Sequence, residues 1–100
     1  MKAKVLELIK ELGFNIKSTG HAYGLDYEGV RIQAENEDLR INAWVESKIF
    51  TVQIVSGLHE ADDAYFHFEE GKAPNLHFRE YAPELFELAR RFASVAGFEI

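Results

Sequence analysis

The chain has 100 residues, no cysteine and a formal charge of −6, and 47% of its residues are apolar. That size and apolar share fit one domain with its own core; disulfides and thiolate-bound metals are excluded, as is a disordered chain. The acidic balance argues against nucleic acid or an anionic membrane as partner and suits a protein partner with a basic surface.

Charged residues at Lys2, Lys4, Glu7, Lys10 and Glu11 break up the first stretch too often for the apolar core of a signal peptide. No later run reaches the length of a membrane span, and a cytoplasmic protein is expected. Within residues 2–12, Val5, Leu8, Ile9 and Leu12 recur at i, i+3, i+4 and i+7, the stripe of an amphipathic helix. Gly13 suits the left-handed position that ends a helix, and Phe14 the apolar contact that follows it.

Alternating apolar and polar residues then predict three hairpins sharing one buried face. A tight turn at Tyr27-Glu28-Gly29-Val30, with Gly29 supplying a positive φ, sets Tyr27 opposite Val30, Leu25 opposite Ile32 and Tyr23 opposite Ala34. A second turn at Ser47-Lys48 sets Val45 opposite Phe50, Ala43 opposite Val52 and Ile41 opposite Ile54. The third, across residues 69–75, sets Phe68 opposite Leu76 and Phe66 opposite Phe78. A slip of one residue in any of them would turn the apolar set to water. Between the second and third lie residues 56–63, with His59, Glu60, Asp62 and Asp63, which read as a loop or a single helical turn whose acids are solvated. Their spacing lacks the Asp-x-Asp-x-Asp-Gly of an EF-hand.

The last helix opens at Pro83, where a missing N–H costs nothing. Leu85, Phe86, Leu88, Ala89, Phe92 and Ala93 make a broad apolar face, and Glu87 and Arg91 are spaced as an i,i+4 pair. Gly97-Phe98 repeats the stop of the first helix, and short edge strands are expected after both stops. These elements predict one α+β domain over residues 1–100. It is a two-layer sandwich in which a six-strand antiparallel meander carries both helices on one face. The expected core contains Val5, Leu8, Leu25, Ile32, Ile41, Val52, Phe66, Phe68, Phe78, Leu85, Leu88 and Phe92.

The face turned away from the helices would carry Asn42, Trp44, Ile49, Thr51, Gln53, Tyr65, His67, His77 and Arg79. An aromatic residue among hydrogen-bonding neighbours is the composition of a binding hot spot, so Trp44, Thr51, Gln53, Tyr65, His67, His77 and Arg79 are the candidate partner-binding residues. Against this stands the plainer reading that Trp44 only covers a sheet edge or packs under the acidic loop. In the third hairpin's register His67 and His77 face each other, close enough to share a metal, but a third ligand such as Glu69 would be needed and no metal signature is present. No cofactor is called for.

Catalysis has little support in the sequence. Ser18, Ser47, Ser56 and Ser94 lie in no nucleophile elbow, no Ser or Thr has a His placed by sequence to activate it, and no glycine cluster precedes a helix. The helix–meander–helix layout is shared by secretion chaperones, toxin-immunity proteins, phage-encoded antagonists of bacterial host defence and small ligand-binding domains, so architecture does not choose among them. The reading that results is a small acidic protein-binding module, not an enzyme. The alternative is a small-molecule site between the sheet and the C-terminal helix, with Tyr23, Tyr27, Phe50 and Phe66 as walls and His21 or His77 orienting the ligand. A chain this short needs most of its apolar side chains for its core, which weighs against such a void. An open strand edge or helix edge could also support a homodimer.

Overall fold

Both helices stop by the same backbone device. In α1 (Lys2–Glu11) the Phe14 N–H donates to the Ile9 carbonyl across Gly13, whose φ is +83°. In α2 (Pro83–Val95) the Phe98 N–H donates to the Ala93 carbonyl across Gly97, at φ +94°. These are Schellman closures, and each glycine takes a backbone conformation that other residues resist. The computed structural model describes residues 2–21, 29–56, 63–80 and 82–99.

Between the helices run β1 (Asn15–His21), β2 (Val30–Glu35), β3 (Leu39–Val45), β4 (Ile49–Ser56), β5 (Ala64–Glu69) and β6 (Asn75–Phe78). They form one antiparallel sheet in sequence order, the expected six-strand meander. Burial alternates along β2 to β5, and the buried set Ile32, Ile41, Phe50, Val52, Ile54 and Phe66 lies on one face. The helix layer closes that face: α2 packs over β4 and β5, and α1 lies against α2 and β1. Phe92 of α2 and Val5 and Ile9 of α1 are fully buried in the shared core. No helix is long and apolar enough to cross a membrane among the described residues.

The β3–β4 hairpin has the predicted register, Val45 opposite Phe50 through Ile41 opposite Ile54. The other two differ. In the β5–β6 hairpin Phe66 faces Leu76 and Ala64 faces Phe78, a shift of two residues from the expected pairing. Side-chain alternation has period two, so such a shift keeps every face and the pattern cannot detect it. In the first hairpin the partners of Val30, Ile32 and Ala34 are His21, Thr19 and Ile16, not Tyr27, Leu25 and Tyr23. Tyr23, Leu25 and Tyr27 themselves lie outside the described residues. Strand β1 directly follows the first helix stop, as an edge strand was expected to; after the second stop, Phe98 and Glu99 are not strand.

Three further expectations change. Phe78 is 47% exposed, not core, because α2 lies over β4 and β5 and leaves β6 overhanging. Among the described residues its ring meets Phe86, with centroids 4.6 Å apart. Asp63 is 1% exposed rather than solvated, and its carboxylate accepts the Ser56 N–H at 2.7 Å. It thereby satisfies a backbone donor at the end of β4 that has left the ladder. Glu87 bridges to Arg90 at 3.4 Å, where Arg91 was expected.

Candidate functional site

With both helices on one side, the other face of the sheet is left open. Successive registers align Ser18, Gln33, Asn42, Gln53, Tyr65 and His77 in a single row across all six strands. The first four are joined in one direction. Ser18 Oγ donates to Gln33 Oε1 at 2.8 Å, Gln33 Nε2 to Asn42 Oδ1 at 3.1 Å, and Asn42 Nδ2 to Gln53 Oε1 at 3.0 Å. Each amide is thus held in one flip state by its neighbours, and such chains polarise one another.

The next row holds Arg31, Trp44, Thr51, His67 and Asn75. Trp44 is half-buried and fixed at two points. Its Nε1–H donates to Glu46 Oε2 at 2.7 Å, and its ring lies over Gly29, where an added Cβ would come within 2.5 Å of Cζ2. Gly29 has no positive φ. The glycine expected for a tight turn provides instead the space for close approach of an indole. Trp44 therefore covers the start of β2, an inner strand rather than the sheet edge of the plainer reading, and it also borders a cleft. Arg31, Asn42, Trp44, Thr51, Gln53 and Tyr65 line that shallow depression of about 190 Å³, floored by Ala43.

Sheet register also builds a relay that the sequence did not announce. Thr51 Oγ1 lies 2.8 Å from His67 Nδ1, His67 Nε2 lies 3.1 Å from Glu69 Oε1, and Glu69 Oε2 lies 2.9 Å from Lys72 Nζ. A neutral imidazole protonated on Nε2 satisfies both bonds, accepting from the Thr51 hydroxyl and donating to Glu69. Hydrogen bonds from Lys72 and then His67 hold the Glu69 carboxyl below its ordinary range, and Glu69 in turn raises Lys72. A threonine does therefore have a histidine beside it, contrary to expectation. Around Thr51, β4 is paired on both sides, and its backbone N–H groups there serve the ladders to β3 and β5.

Of the seven candidates, Trp44, Thr51, Gln53 and Tyr65 meet at the cleft, and His67 adjoins it through Thr51. His77 is exposed at the end of the row, and Arg79 lies beyond β6 with its N–H donating to Asp63 O. His67 faces Asn75 and His77 faces Tyr65, so the two histidines do not face each other as expected. No group of three or more His, Asp or Glu side chains is placed to hold a metal among the described residues. Arg31, Gln33 and Glu46 were missed. The first two follow from strand alternation in β2 once its register against β3 is known.

The space proposed for a small molecule is occupied where it is described. Phe50 stacks on Phe98 at 6.2 Å, and Phe66 meets Phe86 edge-on at 5.3 Å. At one end of the sheet and α2 lies an open groove of about 410 Å³ between the β5–β6 turn and Gly97-Phe98. No family model matches the chain, and no curated protein or solved structure is significantly similar to it.

Proposed function

We propose that this protein acts without catalysis, in the cytoplasm, by binding a protein partner on the open face of its sheet as a stoichiometric inhibitor or antagonist, an immunity protein or a chaperone. The observation that carries the reading is Trp44, half-buried, pinned by Glu46 and Gly29, and set beside a cleft that Tyr65 and Arg31 also line. Tryptophan, tyrosine and arginine dominate interface hot spots, and side chains already held in place lose little freedom on binding. Charge fits a partner with a mixed surface. Lys17, Arg31 and Arg40 offset Glu35, Glu46 and Glu69 on the open face, while Glu37, Asp38 and Glu70 add acid at exposed turns around its rim. A basic patch on the partner would engage that rim.

The test is affinity capture from the native host with the wild type and Trp44→Ala as baits, followed by titration of the captured protein. Trp44→Ala weakens binding by about 2 kcal/mol or more, roughly thirtyfold, whereas Glu87→Ala on the helix side leaves it unchanged. Full affinity in Trp44→Ala, or turnover of a metabolite by protein for which every partner screen is empty, removes the reading.

A further inference from the structure

The sheet has two edges, and they differ. Strand β1 is bulged between Ile16 and Ser18, and Lys17 at the bulge pairs with Glu35 at 3.1 Å. Bulges and lysines are the devices that keep an edge from joining another chain. Strand β6 has no bulge against β5, and it carries Phe78, the large apolar side chain left exposed among the described residues.

Which backbone groups face outward follows from bonds already made. The Glu70 N–H donates to Lys48 O, so the even-numbered residues of β5 bond to β4 and the odd-numbered ones turn to β6. The Arg79 N–H donates to Asp63 O, which places Asn75, His77 and Arg79 toward β5. Leu76 and Phe78 accordingly turn their N–H and C=O groups away from the sheet.

We propose that a second copy of this chain pairs with that edge, β6 to β6 and antiparallel, about a two-fold axis through His77. One register uses every outward group. Leu76 of each copy faces Phe78 of the other, and each such pair exchanges both N–H···O=C bonds, with Asn75 facing Arg79 and His77 facing His77. A two-residue slip one way sets Phe78 against Pro74, which has no N–H. The opposite slip sets Leu76 against Glu80, and any odd slip reverses the faces. The flanks agree: Lys72 precedes the strand and Glu80 follows it, and antiparallel pairing brings those ends together.

The helix layer leaves room for this. The two-fold runs perpendicular to the sheet, so both copies of α2 lie on the same face over β4 and β5. Four strand spacings of about 4.8 Å would separate their axes by roughly 19 Å, against 8–10 Å for helices in direct contact. Leu76, Phe78 and Phe86 of both copies line the gap. A four-residue strand with these side chains falls at the low end of specific interfaces, around 1,200 Å², and the dimer dissociates in about the micromolar range.

The chain has no cysteine, so single cysteines report the register cleanly. Facing residues of the non-hydrogen-bonded kind have Cα atoms about 4.5 Å apart, within disulfide reach. Under mild oxidation at micromolar concentration, His77→Cys forms a covalent dimer. Asn75→Cys and Arg79→Cys alone do not, but a mixture of the two does. Wild-type sedimentation mass rises from one chain toward two across the micromolar range. Phe78→Asp, with an unchanged far-ultraviolet spectrum, raises the dissociation constant by about tenfold or more. A chain that stays monomeric at several hundred micromolar overturns the proposal and leaves the edge to a strand of another protein. Equal cross-linking of all three single-cysteine variants, or dimers indifferent to Phe78→Asp, overturns it as well.

Discussion

Gly29 and Trp44 share one volume: a methyl group on Gly29 would lie 2.5 Å from Cζ2 and 2.7 Å from Cε2 of the indole. Gly29 has no positive φ, so alanine there suffers from lack of space and not from backbone strain. Gly29→Ala should cost about 1–3 kcal/mol, as overpacking does, and should shift the tryptophan emission. In a Trp44→Ala background most of that cost should vanish, a coupling that a double-mutant cycle in denaturant would measure. An additive cycle would mean that the indole does not depend on Gly29 for its place.

Two phenylalanines that the sequence pattern treats alike should respond very differently. Phe92 is fully buried in the core, and Phe92→Ala should cost about 3–5 kcal/mol. Phe78 is 47% exposed at the overhanging edge, and Phe78→Ala should cost less than about 1 kcal/mol in the monomer. Urea midpoints at low protein concentration decide the matter, and similar losses at both sites would show that β6 is better covered than its contact with Phe86 implies.

What could be read from the sequence depended on whether a local rule had competitors. The β3–β4 hairpin was legible because a two-residue turn leaves no slack and strict alternation then fixes every partner from Val45 to Ile41. That register also put Trp44 beside Thr51. The β5–β6 turn is longer, and alternation fixed its faces but not its register, which misplaced His67 relative to His77. Strand β1, Asn-Ile-Lys-Ser-Thr-Gly-His, offers Ile16 as its one large apolar residue and a bulge at its start, so no periodicity marks it. The Thr51–His67 contact needed the β4–β5 register, which lies across residues 57–62 and had no turn chemistry to set it. Asp63 escaped because acidic loop residues usually serve water, whereas this one serves the Ser56 N–H.

The Glu69–Lys72 bond at 2.9 Å predicts a defined pH window. Glu69 is held below its ordinary 4.5, so its contribution is present above that value and fades as acid titrates through the lower folded one. Lys72 is raised above 10.5, so its contribution is present below that value and is lost as alkali titrates through the higher folded one. Lys72→Met should therefore lower the melting temperature between roughly pH 4.5 and 10.5 and converge with the wild type outside that window. Lys72 is exposed and Glu69 only half-buried, so the difference should be small and should shrink in high salt. A gap between the two proteins that is constant with pH would assign the effect to the lysine stem rather than to its charge.

Asn42 separates the integrity of the open face from the fold beneath it. It accepts from Gln33 and donates to Gln53, so its removal breaks the amide row at the middle and takes one bond each from Gln33 Nε2 and Gln53 Oε1. At about 0.5–1.5 kcal/mol for each bond, Asn42→Ala should cost about 1–3 kcal/mol while the buried face stays intact. Asn42→Asp keeps the shape and the acceptor toward Gln33 but cannot donate to Gln53 Oε1, and its carboxylate repels that oxygen. Side-chain amide resonances would register this. In Asn42→Asp the Gln53 amide signals should move and broaden while methyl signals of Ile41, Val52 and Ile54 stay put. If the methyls moved equally, the row would be part of the core's own packing, and the open face could not be altered independently of the fold.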